Sequence, residues 1–110
     1  MKPREGWTFF SNHAHVLIAL AKSPDLRVRD LAEQVGITER AVVQILADLQ
    51  DARVLSKRRV GRRNVYLIDT KAPLRHPVEW HGTVADILRL AERAPRAQTQ
   101  RIENKTRKRV

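Results

Sequence analysis

The sequence predicts a mainly α fold with one small β-hairpin, an α+β arrangement. Three observations lead there. Apolar residues recur at helical spacing in four separate segments, 14–21, 31–35, 42–49 and 84–91. Between the third and fourth segments, two β-prone runs flank Gly61, the pattern of a hairpin. The chain has 110 residues, enough for one core without covalent staples and too few for two domains.

Each element has its own local reason. In the first segment Val16, Leu17 and Leu20 fall on one stripe. This predicts a helix over 12–22, capped by Ser11 or Asn12 and stopped at Ser23-Pro24-Asp25, because proline cannot continue a helix. Leu26-Arg27-Val28 reads as a short extended stretch. Leu31, Ala32 and Val35 then predict a second helix over 30–35, with Asp30 in its first turn and Gly36 free to end it in the left-handed conformation. Thr38 is a good N-cap for a third helix over 39–52, whose buried stripe is Val42, Ile45, Leu46 and Leu49. Its opposite face carries Glu39, Arg40, Val43, Gln44, Ala47 and Asp48.

Residues 54–60 and 64–68 are the strand candidates on either side of Gly61-Arg62-Arg63. Residues 71–82 contain two prolines and read as an ordered linker that Trp80 is expected to pin to the body. Thr83, with Asp86 three positions on, reads as the capping box of a fourth helix over 83–93. Val84, Ile87, Leu88 and Ala91 are its apolar stripe, and Pro95 closes it. The expected organisation is one domain over 1–93 and a basic, flexible tail over 94–110.

Composition narrows the function classes. The net charge is +10 and the sequence pI about 11.2, which points to a polyanionic partner. The charge is unevenly placed: residues 93–110 hold seven cations against one glutamate, a net of +6, so the body carries only +4. That tail adds non-specific affinity for nucleic acid through counterion release, or is a solvated extension. The chain contains no cysteine, which excludes disulfides and thiolate zinc sites. His13 and His15 are two apart on a helix and do not share a face, and His76 and His81 flank Trp80 in the linker; without cysteine or a clustered His/Asp pattern, no metal site is expected. No run approaches the ~20 apolar residues of a membrane span, and the first residues lack the apolar run of a secretion signal. The expectation is a cytoplasmic protein without membrane contact. No nucleophile–base pair, phosphate loop or metal cluster suggests an enzyme, and no cofactor is expected.

The stretch from Leu31-Ala32-Glu33-Gln34-Val35-Gly36-Ile37-Thr38-Glu39-Arg40 through Ala41-Val42-Val43-Gln44-Ile45-Leu46-Ala47-Asp48-Leu49 resembles the helix-turn-helix of winged-helix regulators of the MarR and ArsR type. Val54-Leu55-Ser56 leading into Arg58-Arg59-Val60-Gly61-Arg62-Arg63-Asn64-Val65-Tyr66 resembles their wing. The likeness covers residues 10–93. It implies a sequence-specific, double-stranded DNA-binding regulator of transcription. Helix 39–52 would enter the major groove, and wing 58–64 would lie on the minor groove or backbone. It also implies a homodimer on a palindromic site, with recognition helices about 34 Å apart. Three positions depart from the family pattern. Arg53 stands where a glycine commonly follows the recognition helix; a left-handed backbone there would cost about 1 kcal/mol. Gln44 replaces a frequent arginine, and Arg29 stands where a Ser or Thr cap is preferred.

These readings single out three groups. The base-reading candidates are Thr38, Arg40, Val43 and Gln44. Gln44 can pair with adenine, Arg40 with guanine or a phosphate, and Val43 can touch a thymine methyl. The plainer alternative is the solvated face of a packed helix, which suits Glu39 and Asp48 better than Val43. The backbone candidates are Arg27, Arg29, Lys57, Arg58, Arg59, Arg62, Arg63 and Asn64. Four cations around one glycine repel one another without an anion, although a charged edge hairpin also protects against sheet aggregation. The dimer-interface candidates are Val16, Leu20, Val84, Ile87, Leu88 and Ala91, from the terminal helices. The competing functions are a protein-interaction winged helix docking an acidic partner, and an RNA binder. The latter lacks an aromatic platform, since Trp7, Phe9, Phe10, Tyr66 and Trp80 are scattered. A small-molecule effector is left open, with the dimer cleft as the one place for it.

Overall fold

The computed structural model describes residues 6–93. The order is α1 (Asn12–Lys22), α2 (Val28–Val35), α3 (Glu39–Asp51), β1 (Leu55–Val60), β2 (Arg63–Ile68) and α4 (Val84–Arg93). The expected tail over 94–110 and the closing role of Pro95 lie outside the described residues. Among the described residues no helix is long and apolar enough to cross a membrane.

α1 is the hub, packing on α2, α3, α4 and β2. Its Val16, Leu17 and Leu20 meet Leu31 and Ala32 of α2 and the Val42, Ile45, Leu46 and Leu49 stripe of α3 in one core. The hairpin root supplies Val54, Leu55 and Tyr66, and α4 supplies Val84 and Leu88. Val16, Leu20, Leu31 and Val42 are fully buried, each contributing about 1.5–3 kcal/mol of apolar transfer energy.

The caps explain the boundaries. Ser11 Oγ accepts the Ala14 amide and starts α1, settling the choice between Ser11 and Asn12. α2 begins two residues earlier than the apolar pattern suggests. Leu26-Arg27-Val28 is not an extended stretch throughout: Arg27 is the N-cap, and its amide donates to Asp30 Oδ2 at 3.3 Å. The missing Ser or Thr cap is therefore at Arg27 rather than Arg29, and Asp30 compensates from inside the first turn. Gly36 closes α2 at φ +83°, as its lack of a Cβ allows. Thr38 Oγ1 accepts the Ala41 amide at 3.0 Å and starts α3.

α3 ends in a Schellman arrangement. The Arg53 amide returns to the Gln50 carbonyl, and the Val54 amide to the Leu49 carbonyl. This puts Arg53 at φ +62°, the sole left-handed residue other than glycine among those described. The strain expected from a non-glycine residue there is present. β1 starts directly afterwards at Leu55 and pairs antiparallel with β2, Val60 opposite Arg63. That leaves a two-residue loop, Gly61-Arg62, with Gly61 at φ +63°, the residue a hairpin of this length favours in its first loop position.

The segment before α4 is ordered, as expected, but Trp80 does not pin it. Trp80 is 67% exposed. The backbone holds the segment instead: Pro73 bridges Thr83, and the Val84 amide donates to the Ala72 carbonyl. Asp86 Oδ2 accepts the Thr83 amide at 2.8 Å, the Asp86 half of the expected capping box, and the helix itself starts at Val84 rather than Thr83.

Candidate nucleic-acid interface

Two surfaces meet the polar requirements set by the sequence. The first is the outer face of α3. Because Val42, Ile45, Leu46 and Leu49 turn inward, the intervening positions point to solvent, and Arg40, Val43 and Gln44 are all exposed. Val43 is 54% exposed, an apolar side chain that the body leaves uncovered. Thr38 lies at the leading end of this face, but its hydroxyl oxygen is engaged in capping. A hydroxyl that accepts one amide still has its own proton to donate. The N-terminus of α3 adds free amides and the positive end of the helix dipole, both suited to phosphate.

Gln44 is not free on this face. Its Nε2 donates to Asp48 Oδ1 at 3.0 Å, one helical turn on, and Asp48 Oδ2 lies 2.9 Å from His13 Nε2 on α1. These two hydrogen bonds, His13 first, hold the Asp48 carboxyl below its ordinary pKa. Asp48 reads from sequence as a solvated residue. The four-residue spacing to Gln44 is a visible signal of pairing, but His13 comes from another helix and gives none.

The second surface is the hairpin. Antiparallel register separates its side chains into two faces. Lys57, Arg59 and Asn64 share the face of Leu55 and Tyr66, and Arg58 and Arg63 share the other with Val65. Arg62 stands in the turn. All six of these polar residues are exposed. The expectation of four unbalanced cations on one tip needs correcting. The register splits them, Arg59 Nε donates to the Gly61 carbonyl at 3.4 Å, and Arg63 Nη1 lies 3.3 Å from Asp25 Oδ2. One wing cation is thus partly balanced by the α1–α2 loop.

That loop also anchors the wing, through a hydrogen bond from the Tyr66 amide to the Pro24 carbonyl. Between loop and wing lies an open cleft of about 660 Å³, lined in part by Asp25, Arg27, Arg62, Arg63 and Asn64. It brings Arg27 together with three of the wing candidates. Arg29 is exposed on α2 and is not among the cleft residues.

The dimer candidates fare differently. Val16, Leu20, Val84 and Leu88 pack into the chain's own core, because α1 and α4 lie against each other. They have no side-chain surface left for a partner. Ile87 and Ala91 are half-buried, whereas Leu90, Trp7 and Phe9 are exposed.

Comparison with known proteins bears on the fold. The MarR family model matches residues 11–63, from α1 through the hairpin turn. No curated protein matches the chain. Among solved structures, a mutant of Lactococcus lactis ZitR superposes with a TM-score of 0.51 at 17% identity, covering 99% of this chain and 64% of that one. This chain therefore spans less than two thirds of that protein's length. A second ZitR mutant, solved in complex with DNA, gives a TM-score of 0.50 at 20% identity, covering 96% of this chain and 75% of that one. At these identities the ZitR likenesses establish the fold. The PcaV transcriptional regulator of Streptomyces coelicolor, solved with its natural ligand, gives 0.50 at 26% identity, covering 91% of this chain and 72% of that one.

Proposed function

Because the chain has a winged helix-turn-helix fold and a MarR family model matches its residues 11–63, we propose that it regulates transcription by binding double-stranded DNA in a sequence-specific way. The observation that carries the reading is the uncovered face of α3. Arg40, Val43 and Gln44 stand exposed opposite the buried seam, with a cationic hairpin following directly in the chain. A helix of this kind fits a major groove, and its first turns reach base edges. Arg62, Arg63, Asn64 and Arg27 then serve the backbone, the neighbouring ZitR structure with DNA being a precedent for the fold. The active form is a homodimer, whose contacts draw on exposed apolar residues such as Leu90, Trp7 and Phe9 rather than on the buried Val16, Leu20, Val84 and Leu88.

The test is selection of bound fragments from random duplex DNA, followed by anisotropy titration of the selected site, a random duplex and heparin. The reading expects the selected site to be bound about a thousandfold or more tighter than random duplex. Equal affinity for heparin and every duplex would overturn it in favour of a module that docks acidic proteins. Sedimentation tests the dimer, which should have twice the 12.7 kDa of the chain.

A further inference from the structure

We propose that Asp48 is a positioning residue that fixes which edge of the Gln44 amide faces a base pair, with His13 holding Asp48 in place. This rests on α3 being the base-reading helix. An amide side chain has two chemically opposite ends, an oxygen that accepts and a nitrogen that donates. Left free, it rotates and offers both. Gln44 is not free, because Asp48 Oδ1 lies 3.0 Å from its Nε2. An ionised carboxylate only accepts, so the NH₂ end must turn toward Asp48 and Oε1 must turn away from it. One N–H of the NH₂ group is taken up, and the other stays available beside Oε1. That donor–acceptor pair in fixed order is what adenine N7 and N6 require.

Asp48 is itself held from outside the helix. Its second oxygen takes a hydrogen bond from His13 Nε2 at 2.9 Å, so both carboxylate oxygens are committed to different donors. Arg75, in the segment before α4, adds a favourable positive field. The arrangement links α1 to the reading face through a single carboxylate. Fixing one flexible side chain before binding is worth about two- to tenfold in affinity for the contact that needs it.

The experiment compares the full chain with Gln44→Ala, Asp48→Ala, Asp48→Asn and the double variant Gln44→Ala/Asp48→Ala. Each is titrated against the selected duplex, its single-base-pair variants and random duplex at one salt concentration. Asp48→Ala should reduce discrimination about two- to tenfold at the same base pair that Gln44→Ala affects. It should leave random-duplex affinity equal or higher, because an anionic side chain is removed. Asp48→Asn, which can offer Gln44 either a donor or an acceptor, should also lose discrimination. In the double variant the Asp48 change should have no further effect. Should Asp48→Ala fold poorly, His13→Ala releases the carboxylate from the other side and is expected to have the same, smaller effect. The proposal is overturned if Gln44→Ala loses discrimination while neither Asp48→Ala nor His13→Ala does, or if Asp48→Ala weakens all duplexes equally. If Gln44→Ala leaves discrimination intact, base reading by Gln44 is wrong, and the proposal falls with it.

Discussion

Arg63 Nη1 sits 3.3 Å from Asp25 Oδ2, tying the second strand of the wing to the loop between α1 and α2. Both side chains are about half exposed, so the pair adds at most about 1 kcal/mol to stability. Its larger consequence is electrostatic, because Asp25 is an anion beside a cleft lined by Arg27, Arg62 and Arg63. Asp25→Asn should leave the melting temperature nearly unchanged and tighten binding to selected and random duplex alike. Anisotropy titration at low salt checks this, and weaker binding would count against the cleft as a phosphate site.

Removing the wing cations has the opposite sign. Arg62→Ala with Arg63→Ala should weaken binding to every duplex and make the log–log salt dependence shallower by about one unit for each phosphate that is no longer neutralised. An unchanged salt slope would mean that the wing does not touch DNA.

Base reading gives a different signature from phosphate binding. Gln44→Ala should cost about 1–3 kcal/mol on the selected site and much less on random duplex. Competition titration with single-base variants distinguishes this from a uniform loss.

Arg53 is strained at φ +62°, a conformation glycine adopts without penalty. Arg53→Gly should stabilise the protein by up to about 1 kcal/mol, because relief of left-handed strain exceeds the extra backbone entropy of glycine. Denaturant unfolding measures it, and destabilisation would show that the arginine side chain contributes more than its backbone costs.

The start of α4 is sensitive to acid. The Thr83 amide, with help from Arg89, holds the Asp86 carboxyl below its ordinary pKa. A carboxyl with a depressed folded-state pKa lends its stability above the unfolded value and loses it as the pH falls through the folded value. Wild-type stability relative to Asp86→Asn should therefore be constant from neutral pH to about pH 4 and shrink below that. Parallel unfolding curves at pH 7, 4 and 3 test this, and a gap at pH 3 as large as that at pH 7 would contradict it.

Much of this is legible from residue spacing. α1 emerges over the predicted 12–22, because Ser11 and the Ser23-Pro24 break are local signals that tertiary packing does not override. The α3 stripe and the Gly61 turn are likewise written in the chain. The start of α2 escapes the apolar pattern because Arg27 is not a capping residue type, and the contact that marks the start is the reciprocal one, Asp30 Oδ2 accepting the Arg27 amide. Val16, Leu20, Val84 and Leu88 mislead as dimer candidates because an amphipathic stripe does not say whether its cover belongs to the same chain. Here α1 and α4 cover each other. The Asp25–Arg63 and His13–Asp48 pairs join residues far apart in sequence, and no periodicity encodes them.

The Schellman closure at Arg53 passes α3 into β1 with almost no intervening chain. Residues 52–54 are the whole joint, and their cap hydrogen bonds fix the direction in which the hairpin leaves α3. On the proposed DNA-binding reading, a variant that lengthens this joint should let the wing shift relative to α3 and loosen binding to the selected duplex.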